Sequence, residues 1–403
     1  MRLYGSKEGF TFFAPVRILI LHQFFNTPES GGPLRSYYLA TALKNAGHEV
    51  IVITTSNQGK SRESYEGIPI HYLDIPYDNR FGFYRRIVAY LHFVIASFIL
   101  VRRIRPFDYC YAISAPLTVG TAAKWILFWY DIPYFFEVGD LWPDAPIQMG
   151  VIRNPVIKSI LYQMERAIYR DAEAVVALSS PIADAIRSKV PGQRVEVVTN
   201  FADCEFFQLR PKAAGSGWEN KLVIAYLGAM GVANGLEYLL ECANVSRNAK
   251  LPVHFLLCGD GAVLEMLKTT SKDLSLNNIT FLPFTNREGI KRIMDTADAV
   301  FICYKNVPIL GTGSPHKFFD GLAAGKMIIL NVRGWMEREV LENTCGIALD
   351  PYGASEFVPR IMPVLRDVAL LQQYQSAARR LAESKYSRKK LGQKFVELFE
   401  AKA

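Results

Sequence analysis

The stretch "GTGSPHKFFDGLAAGK", Gly311 to Lys326, combines several glycines, two lysines and a serine ahead of a proline. Those are the ingredients of a phosphate cradle. A P-loop would read G-x-x-x-x-G-K-[ST]. Here Gly321 and Gly325 enclose three residues and Met327 follows Lys326, so that reading fails on spacing. The flanks decide otherwise. Strand-like "AVFICY" precedes the stretch and "KMIILN" follows it, which makes it a strand-to-helix loop at the carboxyl edge of a parallel sheet, where open α/β sheets bind ligands. Ser314 is placed as an N-cap and Pro315 as the first helical residue, where a missing N–H costs nothing. Such a start offers free amides and a positive dipole end to a diphosphate, with Thr312 and Gly313 just ahead of it. Lys317 in the first turn is unfavourable unless an anion offsets it. Asp320 falls in the second turn, where a carboxylate accepts hydrogen bonds from ribose hydroxyls. The plainer alternative is a well-capped structural helix with Asp320 on a solvated face.

The rest of the chain repeats this strand-and-helix alternation. "RILILH" (17–22), a loop with "SGGPLR", a helix from about Arg35 to Ala46 and "EVIVITT" form a βαβ unit. "FDYCYAIS", "PYFFEVGD", "AEAVVALS" and "RVEVVTN" continue a doubly wound sheet to about Asn200. "FADCEFFQLRPKAAGSGWEN" breaks the pattern as a linker. "KLVIAYLG", "VHFLLCGDG", "ITFLPF", "AVFICY", "KMIILN" and "CGIALD" then build a second sheet. The expected α/β organisation is an arm over 1–16, a Rossmann-like domain over 17–206, a linker over 207–220 and a second Rossmann-like domain over 221–380. A C-terminal helix over 381–403 is expected to pack back on the first domain. Two such halves imply a cleft between them.

Composition bounds the partners. The 403 residues are 50% hydrophobic and 21% charged, which fits a folded two-domain protein. The formal charge of +8 favours polyanions: nucleic acid, an anionic bilayer or phosphorylated substrates. No nucleic-acid-binding module is recognisable, and no GxGxxG follows a first strand. The six cysteines are scattered without a CxxC pair, so buried free thiols in the cytosol are expected rather than zinc or disulfides. The first fifteen residues lack the h-region and cleavage site of a signal peptide. His22, His48 and His254 lie beside strands or turns and are read as packing residues.

"YRRIVAYLHFVIASFILVRRIRP" stands apart. About fifteen mostly apolar residues, interrupted by His92 and Ser97, lie between Arg85, Arg86 and Arg102, Arg103, Arg105. A bilayer span needs roughly 20 apolar residues, so the stretch is read as too short to cross. A buried helix of the first domain and a helix resting on an anionic leaflet both remain open.

"SPHKFFDGLAAGK" is similar to the signature of glycosyltransferase family 4, whose members have the GT-B fold. It most resembles the bacterial branch that builds O-antigen and capsular sugars, N-acetyl-fucosamine transferases included, which carry SPxKxFDxLAAGKP. The likeness continues in order through "GGPLRSYYLATALKNAGHEVIVIT", "EVGDLWPDAP", "VTNFAD", "YLGAMGVANGLEYLL", "CGDG" and "FLPF", roughly Arg17 to Asp350. It implies that Gly31 and Gly32, with Arg35 beside them, form the loop facing the donor phosphates and the acceptor. Asp140 would sit near the transferred sugar, unless it merely caps a loop with Trp142 in the core. Gly228 and the turn holding Asn234 would face the diphosphate. Gly259, Asp260, Gly261 and Phe284 would line the nucleotide pocket. Lys317 would neutralise the departing diphosphate and Asp320 would hold the ribose.

The departures from the family matter. Typical members carry two glutamates eight positions apart; here these positions are Thr312 and Asp320. The Arg and Lys of the "GR…KG" loop are replaced by Ala229 and Asn234, and Gly139 precedes Asp140 where branch members often have arginine. Lys317 would then carry more of the charge stabilisation. The implied reaction is transfer of a sugar, with retention of configuration, from a nucleotide-diphosphate donor such as a UDP-sugar to a hydroxyl acceptor. No metal or other cofactor is expected. The acceptor would be a polyprenyl-diphosphate-linked saccharide or a polysaccharide at the inner face of the cytoplasmic membrane. A GT-B nucleotide-sugar 2-epimerase and a non-catalytic nucleotide-sugar-binding subunit remain alternatives.

Overall fold

The structure is a computed structural model that describes residues 14–400, apart from 30–31, 58, 60, 79–80, 213–214 and 216, and apart from the side chain of residue 83. The N-terminal arm and Gly31 therefore lie largely or wholly outside the described residues.

Runs of β-branched and aromatic residues, apolar on both faces, form two sheets covered on both sides by helices. The first contains β1 (Arg17–Leu21), β2 (Glu49–Ser56), β3 (Arg62–Tyr65), β4 (Ile68–Asp74), β5 (Tyr109–Ile113), β6 (Tyr134–Val138), β7 (Ala174–Ala177) and β8 (Val195–Val197). Its spatial order is β3-β4-β2-β1-β5-β6-β7-β8, all parallel except the β3–β4 hairpin. That hairpin, which sequence reading missed, caps one edge of the sheet. The second contains β9 (Leu222–Leu227), β10 (Val253–Cys258), β11 (Ile279–Leu282), β12 (Ala299–Ile302), β13 (Met327–Leu330) and β14 (Gly346–Ala348), ordered β11-β10-β9-β12-β13-β14. In each sheet the order reverses beside the first strand, at β1/β5 and at β9/β12. Those are the crevices where doubly wound sheets take ligands.

The chain crosses between the domains twice. It leaves the first near Asn200–Phe207 and returns near Tyr386–Arg388. The crossings lie side by side: Ala202 N–H donates to Tyr386 O at 2.7 Å, and Arg388 N–H donates to Ala202 O at 3.2 Å. The return comes later than the sequence reading placed it. The helix Val368–Lys385 runs through 381 and buries Ala377, Ala378, Leu381 and Ala382 against the second domain. The helix Arg388–Glu400 then packs on the first sheet, with Phe395 4.7 Å from Tyr111 and Phe399 4.7 Å from Phe135, ring centre to ring centre.

The basic, apolar segment forms one helix, Phe83–Ile104. This corrects the expectation from sequence: Tyr84–Ile104 is long and apolar enough, by length and composition, to cross a bilayer. Neither interruption breaks the helix. Ser97 is buried, and its hydroxyl donates to Phe93 O at 2.6 Å within the same helix. The inner face, with Ala89, Phe93, Val94 and Val101, is part of the first domain's core. Arg85, Arg102, Arg103 and Arg105 are exposed and Arg86 is half-buried. All six cysteines are free thiols, five of them buried.

Candidate functional site

A cleft of about 400 Å³ opens between the two domains, lined from both sides. The first domain contributes His22 after β1, Ser114 after β5, and Glu137, Gly139 and Asp140 at the end of β6. The second contributes Tyr304 after β12 and the Thr312–His316 segment. The cleft thus joins the carboxyl edges of the two sheets.

Asp140 faces the second domain. A Cβ added at Gly313 would stand 3.7 Å from its Oδ1. Solvent reaches the carboxylate, yet the surrounding walls raise its pKa above the ordinary value. It caps no loop: among the described residues its carboxylate takes part in no hydrogen bond or ion pair. Burial, and then the nearness of Asp140, raise the Tyr304 phenol. Trp142 is half-buried at the edge of the first core.

The opening stretch behaves differently from its sequence reading at one point. The helix runs His316–Ala323 with Pro315 at the cap position, and no side chain caps it. Ser314 is turned the other way, because the buried Asn200 of the first domain needs partners. Its hydroxyl accepts from Asn200 N–H at 3.4 Å, and its carbonyl accepts from the Asn200 side-chain amide. Thr312 is held similarly: Ser179 Oγ donates to its carbonyl at 2.6 Å, while its own hydroxyl donates to Ile309 O. Trp335 Nε1 donates to Gly313 O at 2.9 Å. The start of the helix is therefore anchored to both domains, with its first amides left uncapped.

Lys317 is half-buried. Its ammonium sits 3.8 Å from the centre of the Tyr226 ring and against Gly228, at the β9/β12 crevice. No carboxylate pairs with it among the described residues, and desolvation pulls its pKa from 10.5 to about 7. Asp320 is pushed from 3.8 to about 7, chiefly by burial, against the pull of Arg287. Each charge is costly in its desolvated setting and would be favoured by a ligand of opposite charge or by hydroxyl donors.

The loop glycines act through the backbone. At Gly259 (φ +155°) a Cβ would fall 1.9 Å from Gly228 O, and at Gly261 (φ +155°) 2.4 Å from Met230 O. They let the loops after β9 and β10 touch, with Met230 N–H donating to Asp260 O at 2.8 Å. Asp260 Oδ1 accepts from Gly261 N–H, and Asn234 Oδ1 accepts from Gly231 N–H at 3.1 Å, closing the turn. Phe284 is 66% exposed beyond β11. Gly259, Asp260, Gly261, Asn234 and Phe284, with Lys317, Asp320 and Gly228, lie outside the lining of the 400 Å³ cleft, on the second domain's side. Gly32 lies one residue from the cleft-lining Pro33.

Arg35 corrects the sequence reading. It lines the cleft, but all three guanidinium nitrogens are engaged: Nε and Nη2 donate to Glu137 at 3.0 and 2.9 Å, and further bonds run to the carbonyls of Val198 and Thr199. Both side chains are nearly inaccessible. Burial disfavours the Arg35 charge, and Glu137 with Tyr111 more than offsets it. Arg35 is a strut, not a phosphate ligand.

Three further residues, His22, Arg287 and Glu137, were missed, and His316, which the sequence places close to the cleft without fixing its direction, joins them. His22 lines the cleft rather than packing in a core, bonded through Nδ1 to Ser36 Oγ at 3.0 Å, and burial lowers its pKa to about 4. His316 also lines the cleft and is lowered to about 4 by burial and the nearby Arg35 and Arg287. Both imidazoles are neutral at pH 7. Arg287 of the second domain pairs with Asp203 at 2.5 Å, bonds Tyr38 of the first domain and stacks 3.9 Å from the centre of Phe206. A carboxylate inside the apolar run "YFFEV" was the one available signal for Glu137, since a buried charge needs a partner.

No group of three or more His, Cys, Asp or Glu side chains gathers in a metal-holding arrangement among the described residues.

Comparison with known proteins follows the domain division. Residues 30–200 match the glycosyl transferase 4-like domain family model, and residues 212–381 match the glycosyl transferases group 1 model. A colanic acid biosynthesis glycosyl transferase of Escherichia coli K12, WcaI, is 23% identical over 277 residues, 64% of this chain and 66% of that protein. An alpha-D-kanosaminyltransferase of Streptomyces kanamyceticus is 21% identical over 58% of this chain and 62% of its own. The chain thus spans just under two thirds of the length of these curated relatives. Among solved structures, a sucrose-phosphate synthase of Thermosynechococcus elongatus superposes with TM-score 0.77 at 13% identity, covering 96% of this chain and 98% of that one. Anabaena HepE in complex with UDP-glucose gives 0.71 at 16% identity, over 96% and 100%. With one family model on each sheet and the same two-sheet architecture in these structures, the chain belongs to the glycosyltransferases of the GT-B fold.

Proposed function

We propose that the protein transfers a sugar, with retention of configuration, from a nucleotide-diphosphate donor to a hydroxyl on a lipid-linked saccharide. The observation that carries this reading is Lys317: a desolvated ammonium without a carboxylate partner, beside uncapped helix amides at the topological crevice of the second sheet. A diphosphate would satisfy both. As the bond from the anomeric carbon to the diphosphate breaks, negative charge grows on the leaving oxygen, and Lys317 and the amides stabilise it. The acceptor hydroxyl forms the new bond on the same face and gives its proton to that leaving oxygen. Asp140 lies across the cleft from Gly313, where it faces the positive charge developing on the sugar. Asp320 holds the ribose and Phe284 borders the base. The reading uses no metal.

The relative in colanic acid biosynthesis supports a surface-saccharide acceptor, and the HepE complex with UDP-glucose supports a donor such as a UDP-sugar, as the N-acetyl-fucosamine transferase branch would use. The acceptor is then a polyprenyl-diphosphate-linked chain at the cytoplasmic leaflet, met by the basic ends of the helix Phe83–Ile104. Screening nucleotide sugars for thermal stabilisation, then assaying transfer to a lipid-linked acceptor, tests the proposal. Stabilisation by none of them would overturn it. Turnover of the donor sugar without acceptor would mark an epimerase instead.

A further inference from the structure

The outer face of the helix Phe83–Ile104 is apolar along its length. Val88, Leu91, Ile95 and Ile99 follow one another at helical spacing and are 47 to 65% exposed. The neighbouring helix Thr118–Tyr130 extends this surface. Phe98 packs edge-on against Trp125 at 6.1 Å and stacks on Tyr130 at 5.0 Å, joining the two helices. Phe128 and Trp129 then project at 79 and 66% exposure. A continuous apolar surface of this extent is rare on a soluble monomer and marks an interaction site.

Three observations choose the partner. First, residues 83–105 contain five arginines and no Asp or Glu, with the arginines gathered at the two ends. Second, the wide-ringed Trp125, Phe128 and Trp129 lie beside the stripe, and amphipathic aromatics favour the water–lipid boundary. Third, the opposite face cannot leave the domain. Phe93, Val94 and Val101 are each at most 3% exposed in the core, so crossing a bilayer would strip them from it. A second copy of the chain fits poorly, since a twofold contact along this helix brings basic end against basic end.

We propose that the helix Phe83–Ile104 and the end of the helix Thr118–Tyr130 form one platform that lies in the plane of an anionic bilayer. The apolar stripe and the aromatic side chains enter the acyl boundary, and the end arginines hold lipid headgroups. Attachment is then mainly by insertion, and charge selects the anionic leaflet. The inference deepens the reading of a lipid-linked acceptor, but its test does not depend on that reading.

The full-length protein is floated with vesicles of phosphatidylethanolamine and phosphatidylglycerol, and with phosphatidylcholine alone. The expected result is binding to the anionic vesicles that largely survives high salt, with tryptophan emission quenched by brominated acyl chains. Leu91→Glu with Ile95→Glu should lower the bound fraction about tenfold, and Trp125→Phe with Trp129→Phe should abolish most of the quenching. Thermal melting and nucleotide-sugar binding of each variant show that the fold is kept; the single variant Val88→Glu, far from any core contact, serves if the double variant unfolds. Recovery of wild type in the soluble fraction overturns the proposal. So does binding abolished by salt without quenching, or a dimer in sedimentation that Ile95→Glu dissociates. Vesicle binding without any sugar transfer would overturn the proposed function alone; transfer without vesicle binding would overturn this inference alone.

Discussion

Arg35 and Lys317 are both cations in the first turn of a helix that leaves a strand at the cleft, and they are held in opposite ways. Arg35 opens the helix Arg35–Asn45 with its guanidinium bonded to Glu137 and two carbonyls. Among the described residues Lys317 has a ring face and no carboxylate. A buried cation paired with a carboxylate and backbone carbonyls contributes to the fold, whereas one left without a counter-charge is costly until a ligand arrives. A cation in the first turn of a cleft-edge helix thus serves architecture in the first domain and, on the proposed reading, recognition in the second.

The largest expected effect tests the strut. Arg35→Met leaves Glu137 buried and unpaired, and should lower stability by about 3–5 kcal/mol in chemical denaturation. Adding Glu137→Leu should recover much of the loss. A loss below about 1 kcal/mol for the single variant would erase the contrast. Lys317→Ala should do the reverse, reducing kcat/KM about 10²–10³-fold while leaving the melting temperature nearly unchanged. A wild-type rate would remove Lys317 from the diphosphate.

Protonation sharpens the same contrast. Between pH 7 and 10.5 folded Lys317 binds fewer protons than it does unfolded, so its contribution to stability falls as pH drops through that window. Asp320 is shifted the other way: between 3.8 and 7 the folded state binds more protons, so its contribution falls as pH rises. A bound diphosphate restores the Lys317 charge. UDP binding near pH 8 should therefore take up a proton, measured by calorimetry in buffers of different ionisation enthalpy. Lys317→Met should abolish the uptake and Asp320→Asn should keep it; the opposite pattern would reassign the titrating group. The smallest effect is expected at Gly313→Ala. Its backbone accepts a Cβ (φ −62°), which meets Asp140 Oδ1 at an ordinary 3.7 Å. Stability should move by less than about 0.5 kcal/mol, while turnover drops several-fold because the gap opposite Asp140 narrows. Unchanged turnover would place the sugar elsewhere.

Local signals in the chain sufficed for the two sheets and for the loop that carries Lys317, because strand-helix alternation and helix starts are written in short stretches, whereas Asp140 was singled out only through the family resemblance. What was illegible depends on distant partners. Ser314 has the right side chain for a cap, but Asn200, 114 positions earlier, takes it. Arg287 and Asp203 are 84 positions apart, and neither stands out from its neighbours. Arg35 looked like a phosphate ligand because its loop did, and only the folded sheet brings Glu137 beneath it. The 22-residue length of the helix Phe83–Ile104 was masked by Ser97, whose polarity is satisfied inside the helix.

The paired crossings at Ala202 and Tyr386–Arg388 limit how the cleft can move. Two bodies joined by one strand can swing and twist, but two adjacent strands bonded to each other define a line, and only rotation about that line is easy. Opening of the cleft would then be reduced to a single angle. Any such opening would carry Asp140 and Gly313 apart along one arc and would first have to break the bonds from Ser179 to Thr312 and from Asn200 to Ser314.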